Sequence, residues 1–241
     1  MSGEYVAKRA IILAAGRGER LRPVTDDIPK PLITVNGVRM IDTIIKALHN
    51  NKIYEIYVVT GYLKDRFNPL VEENPGLQLI NNPYYDTCNN ISSLYSARDH
   101  LEECIIMDGD QIIYDSGVLD PHFKRSGYNA VWTDEWTDEW LLQVENGIVM
   151  SCSRNGGAGG WQLYSISRWT KEDGKKLRRH LEIEFEDNKN RDIYWDDVAL
   201  FCYPGEYDLG IVKMKKEDVI EIDNMSELTA IDSKYRNWGK S

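Results

Sequence analysis

Ala10-Ile11-Ile12-Leu13-Ala14-Ala15 is an unbroken apolar run that ends in Gly16-Arg17-Gly18. Because no polar residue alternates through it, neither face can be given to water. This is the pattern of a parallel strand covered on both sides. The glycines that follow supply a tight loop at the C-terminal end of that strand, where α/β folds bind their ligands.

The next segments extend the pattern. Ile41, Ile44, Ile45 and Leu48 repeat at helical spacing and predict an amphipathic helix over Met40 to Asn50. Ile56 to Gly61, Leu77 to Ile80 and Cys104 to Asp110 read as further strands, with a helix around Ile91 to Leu101. Strands and helices alternating over the first 110 residues predict βαβ units around a mostly parallel central sheet. After residue 128 the strands shorten: Ala130 to Trp132, Leu141 to Val144, Ile148-Val149 and Trp161 to Ser167. Asn155 to Gly160 is a glycine-rich loop, Lys171 to Asp187 and Tyr194 to Cys202 are helical, and Val219 to Asp223 is a late strand. With no Pro/Ser-rich linker, the expectation is one α/β domain over 1–241, with a half at 1–128 that binds a nucleotide and an acceptor-side half at 129–241.

The chain has 241 residues, 42% of them hydrophobic, which excludes a disordered segment. Its formal charge of −10 argues against sequence-independent binding to nucleic acid or anionic membrane, since both need a basic face. No apolar run approaches the roughly 20 residues of a membrane span, and Met1 to Arg9 lacks a leader's apolar core. Cys88, Cys104, Cys152 and Cys202 form no C-x-x-C pair, so reduced thiols and a cytoplasmic location are expected.

Backbone N–H groups of a glycine loop can approach phosphate oxygens, and Arg20 and Lys30 can balance a triphosphate's charge. The loop lacks the third glycine of a dinucleotide fingerprint and the G-K-[ST] of a P-loop. Asp108 and Asp110 stand two apart at a strand end, a pattern suited to a hard cation bound with substrate phosphates. A loop-capping role for Asp108 is equally open, as is a turn and helix N-cap for Asn89-Asn90.

Leu13 to Pro23 and Pro29-Lys30-Pro31-Leu32 match the signature L-A-A-G-x-G-x-R-L-x-P…P-K-P-L, and the chain resembles the nucleotidyltransferases that activate sugar phosphates and choline phosphate. It resembles most the bacterial CTP:phosphocholine cytidylyltransferases. That likeness runs through Val59 to Lys64, Asn89-Asn90, Ser93-Leu94-Tyr95, Asp108-Gly109-Asp110, Thr137 to Trp140, Tyr194 to Asp197 and Ile220 to Asp223. The resemblance implies a Rossmann-like nucleotidyltransferase fold with a mixed, mostly parallel sheet and a smaller acceptor-binding subregion. It implies Mg²⁺ held by Asp110 and Asp223, and catalytic roles for Lys30, Arg20 and Asp110. It places Leu13, Ala14, Ala15, Gly16, Gly18, Lys30, Gly61, Tyr62, Asn89, Asn90, Ser93 and Asp108 at the nucleotide, and Glu139, Trp140, Tyr194 and Asp196 at the acceptor. The implied reaction transfers CMP from CTP to phosphocholine, giving CDP-choline and pyrophosphate. A monomer and a homodimer are both open.

The tryptophans concentrate between Trp132 and Trp195, where aromatic faces with Glu139, Asp196 and Asp197 would suit a cationic head group. Apart from Trp140, each tryptophan there is expected in the core. Gly159 to Leu163 is richer in glycine and tryptophan than a phosphocholine enzyme suggests, and Asp134-Glu135 and Asp138-Glu139 are acidic. These features keep open a 2-aminoethylphosphonate acceptor, whose primary ammonium needs hydrogen-bond acceptors. A sugar 1-phosphate transferase and a non-catalytic nucleotide-binding regulatory module complete the alternatives.

Overall fold

The structure is a computed structural model describing residues 5–238. Strand β1 (Arg9–Ala14) is the expected buried run, and helix α1 (Met40–Asn50) has the expected bounds. Ile41, Ile44 and Leu48 of α1 are fully buried, each contributing about 1.5–3 kcal/mol of transfer free energy. Strands β2 (Glu55–Thr60), β3 (Leu77–Asn81) and β4 (Cys104–Asp108) complete the parallel part, with β4 and β2 flanking β1 and β3 outside β2. The helix between β3 and β4, α2 (Ile91–Ser96), is shorter than expected. The chain tightens into a 3₁₀ turn at Arg98–His100, where the Arg98 guanidinium takes the Tyr95 carbonyl.

A short strand β5 (Gln111–Ile113) follows. Strands β6 (Gly127–Thr133), β7 (Leu141–Glu145), β8 (Ile148–Ser153), β9 (Gly160–Trp169) and β10 (Gly210–Lys213) extend the sheet. Among the described residues this sheet has nine strands, and the long β9 joins its two parts. One end of β9 runs antiparallel to β4 and the other to β7, while β6 lies along its opposite side. The sheet is therefore mixed, parallel where the first half builds it and mainly antiparallel in the second. Helix α3 (Lys171–Glu182) is capped by the Thr170 hydroxyl, which accepts from the Asp173 N–H.

The last segment returns to the first half. Strand β11 (Val219–Glu221) pairs antiparallel with β5, Glu221 opposite Gln111, so Asp223 lies two residues beyond the strand it was expected to end. Helix α4 (Met225–Ile231), capped by Asn224, buries Leu228 in a cluster with Leu21, Val24, Ile33 and Ile222 beneath the glycine loop.

Trp169 and Trp195 are fully buried as expected, but Trp132 and Trp136 stand 47% and 70% exposed. Each opens a W-T-D-E turn: the indole N–H donates to the aspartate two residues on, and the threonine hydroxyl accepts from the glutamate N–H. These local bonds hold both rings at the surface, and Trp132 also meets Trp161 edge to face with centroids 5.4 Å apart. The two turns lead into Glu139 and Trp140.

Candidate active site

Gly18 has φ +61°, and an added Cβ would lie 3.0 Å from Thr25 Cγ2 and 3.1 Å from Lys30 Cβ. Only a residue without a side chain lets the loop fold down on Lys30 there. The Thr25 hydroxyl donates to the Gly18 carbonyl at 2.9 Å, and Tyr62 fastens the loop from the far side, its N–H on Ala15 and its hydroxyl on Thr25. The result is a cavity of about 320 Å³ lined by Leu13, Ala14, Gly16, Gly18, Arg20 and Lys30, with Asp110 and Asp223 at its inner end.

Lys30 is buried between those carboxylates, its ammonium 2.5 Å from Asp110 Oδ2 and 2.9 Å from Asp223 Oδ1. Burial alone would lower its pKa, but the two carboxylates outweigh that and hold it above the ordinary lysine value. Arg20 reaches Asp223 at 3.0 Å from the solvent side. Asp110 Oδ1 is buried without a hydrogen-bond partner, and oxygens of Asp110, Glu221 and Asp223 lie within 4.8 Å of one another. An all-oxygen set with an orphaned carboxylate oxygen fits a hard divalent cation. Desolvation in the cleft, then Asp110, Asp108 and Asp223, raise the Glu221 pKa well above the carboxylate range, as expected for crowded anions awaiting a positive charge.

Asp108 faces away from the glycine loop into an adjoining cavity of about 200 Å³, lined also by Asn90, Glu139, Trp140, Ser165, Tyr194 and Asp196. Burial and the nearby Asp110 push the Asp108 carboxyl up to about 7, against a hydrogen bond from Ser165. Asp196 is buried, and its Oδ1 has no partner. Burial, then Asp108, raises its pKa well above normal, while the Tyr128 hydroxyl beside it works in the opposite direction. Trp140 and Tyr194 meet edge to face with centroids 5.8 Å apart.

Several expected residues have other tasks. Asp197 lies behind the cavity: Oδ1 takes Arg154 Nε at 2.8 Å, and Oδ2 caps the Tyr194 N–H at 2.9 Å. Ser93 is buried, accepting from the Asn82 amide at 3.1 Å. Asn89 does not line either cavity and ties to the Asp192 carbonyl, while Asn90 lines the acceptor-side cavity and accepts from the Trp195 N–H instead of capping α2. Gly61 permits close packing, since its Cβ would meet the Tyr85 ring at 2.6 Å. Glu221 was missed although Glu221-Ile222-Asp223 repeats the spacing of Asp108-Gly109-Asp110. For Ser165 and Arg154 the sequence carries no comparable signal.

A third cavity of about 720 Å³ shares Asp223 with the glycine-loop cavity and Glu139, Leu163 and Glu221 with the acceptor-side one. The three form a continuous cleft with the carboxylate cluster at the junction. None of the four histidines lines it; its titratable lining includes carboxylates with Lys30 and Arg20. A glycine loop whose N–H groups can meet phosphates, two cations and a cation-ready carboxylate cluster suit an enzyme that transfers groups from a nucleoside triphosphate.

The comparisons narrow this class. The nucleotidyl transferase family model matches residues 9–125. The 2-aminoethylphosphonate cytidylyltransferase of Lancefieldella rimae is 35% identical over 94% of this chain and 92% of its own. The choline-phosphate cytidylyltransferase of Streptococcus pneumoniae is 28% identical over 95% of this chain and 99% of its own. The solved structure of CTP:phosphocholine cytidylyltransferase from that organism aligns with TM-score 0.85, at 28% identity, over 94% of this chain and 98% of that one. The chain belongs to the nucleotidyltransferase family, as one of its cytidylyltransferases.

Proposed function

We propose that this enzyme transfers CMP from CTP to a small zwitterion bearing a primary ammonium, 2-aminoethylphosphonate, and works as a single unit of 241 residues. The observation that carries the acceptor is the unpartnered, buried Asp196 Oδ1 in the cavity that also holds Glu139 and Ser165. A primary ammonium brings three donors to such a set, whereas a quaternary one brings none and would leave Asp196 Oδ1 without a hydrogen bond. The 35% identical relative supports the same reading.

In this mechanism the glycine loop cradles the triphosphate while Lys30 and Arg20 offset its charge. Asp110, Glu221 and Asp223 would hold Mg²⁺, which when bound neutralises phosphate charge. A phosphonate oxygen of the acceptor attacks the α-phosphorus of CTP, the bond to the β-phosphate oxygen breaks, and pyrophosphate leaves. The acceptor needs no base because its attacking oxygen is already anionic. Glu139 and Asp196 orient the ammonium, and Trp140 and Tyr194 flank it.

The perpendicular Trp140–Tyr194 pair favours a second reading, phosphocholine, because each good cation–π contact gives roughly 0.5 to 2 kcal/mol. Pyrophosphate release with CTP should be measured against 2-aminoethylphosphonate, phosphocholine and a hexose 1-phosphate, with and without Mg²⁺. The expected result is kcat/KM at least tenfold higher for 2-aminoethylphosphonate than for the other two. A preference for phosphocholine transfers the function to the second reading, and silence with every acceptor removes both.

A further inference from the structure

On the other end of the sheet from the cleft lies a cavity of about 410 Å³ with a different character. By register it sits where Gly127 of β6 faces Arg168 of β9, and Arg168 faces Ile105 near the start of β4. Leu163 of the cleft is five residues back along β9, roughly 16 to 17 Å at a strand's rise per residue. The cavity thus shares no lining residue with the catalytic cleft.

Its charge is unlike the rest of the molecule. The chain carries 39 acidic and 29 basic side chains, yet the lining holds Lys124, Arg125 and Arg168 and no carboxylate. Among the described residues none of the three makes an ion pair. Arg168 is only 1% exposed, and its guanidinium bonds neutral acceptors alone: the Asp120 and Val118 carbonyls and Asn129 Oδ1. Those bonds satisfy geometry but leave the buried positive charge without a direct ion pair; burial lowers its pKa to about 10, and the nearby Asp120 carboxylate offsets this only in part. Arg125 lies across Gly210, where an added Cβ would meet Arg125 Cδ at 2.6 Å, so its stem is laid along the cavity floor. Phe123, Ile211 and Val212 supply an apolar wall.

We propose that this cavity is a second ligand site, separate from the catalytic cleft, for a small phosphate-bearing anion. Arg125 and Lys124 contact the anion, Arg168 supplies positive potential from beneath, and the apolar wall takes any organic portion. Two exposed flexible cations over one buried fixed one are suited to a ligand that arrives and leaves.

The test is amide NMR of the full chain titrated with inorganic phosphate and, separately, with phenyl phosphate. Gly127, Gly147 and Gly210 report this cavity, while Gly16 and Gly18 report the catalytic cleft. The three reporters should shift saturably, and the exposed double substitution Lys124→Glu with Arg125→Glu should weaken binding there at least tenfold without moving the Gly16 and Gly18 response. Tighter binding of phenyl phosphate than of inorganic phosphate assigns the site to an organic phosphate, and equal binding assigns it to the free ion. Shifts that sodium chloride reproduces at equal ionic strength, absent shifts, or a weakening below tenfold in the double variant would overturn the proposal.

Discussion

Asp196→Asn should separate stability from function at one position. In the free enzyme the Asp196 carboxylate is buried, beside Tyr128 and near Asp108, with Oδ1 bonded to nothing. Its folded pKa is raised above the unfolded value, so the folded state holds the proton more tightly. Between the ordinary carboxylate pKa and the raised one, wild-type stability falls as pH rises, because the unfolded chain ionises freely in water while the folded state keeps the proton. The isosteric amide removes that slope. The variant's melting temperature should therefore match or exceed the wild type's, with an advantage that grows towards higher pH. Function should move the other way. A hydrogen bond to a charged group contributes about 1.5–3 kcal/mol, so losing the charge should lower kcat/KM for the acceptor about 10- to 150-fold. The KM for CTP should hardly change, since Asp196 does not line the glycine-loop cavity. Thermal melts across pH and steady-state pyrophosphate release, each substrate varied in turn, measure both sides. A variant that melts several degrees lower, or that raises both KM values alike, would refute this reasoning and make Asp196 a structural residue.

Asp110→Ala should abolish turnover at every Mg²⁺ concentration while the melting temperature holds, checked by metal titration; rescue at high Mg²⁺ would limit Asp110 to tuning affinity. Gly18→Ala should cost about 1–2 kcal/mol for a left-handed alanine and, by displacing Lys30, raise the CTP KM far more than the acceptor KM. Arg154→Lys should keep a charge near Asp197 but lose the stacking 3.9 Å over Phe201, raising the acceptor KM severalfold with CTP unaffected. An unchanged acceptor KM would show that Tyr194 holds its place without Arg154.

The parallel half of the fold was legible because a strand covered on both faces must be apolar through its middle, and β1, β2 and β4 are, with charged residues only at their ends. Helix α1 was legible to the residue because only one of its faces is buried. The packing of the glycine loop on Lys30 was equally readable, as Gly18 leaves no side chain between them. What sequence pattern does not carry is the direction a side chain takes once the chain folds back. Asp108 and Asp110 share a spacing but line different cavities. Asp196 and Asp197 are neighbours, and only the second meets Arg154. Trp132 and Trp136 escaped the core because local bonds to Asp134 and Asp138 hold them at the surface, an outcome composition cannot express.

The pairing of β11 with β5 also bears on how this enzyme is made and how it can be altered. Glu221 and Asp223 arrive at the carboxylate cluster from the far end of the chain, while the glycine loop, Lys30 and Asp110 come from its first half. A nascent chain therefore cannot assemble this carboxylate cluster until residue 223 has left the ribosome and docked. Replacing the acceptor side with that of a relative likewise has to preserve this returning strand: a graft confined to 127–213 leaves the reaction centre whole, and one that runs to the end exchanges part of it.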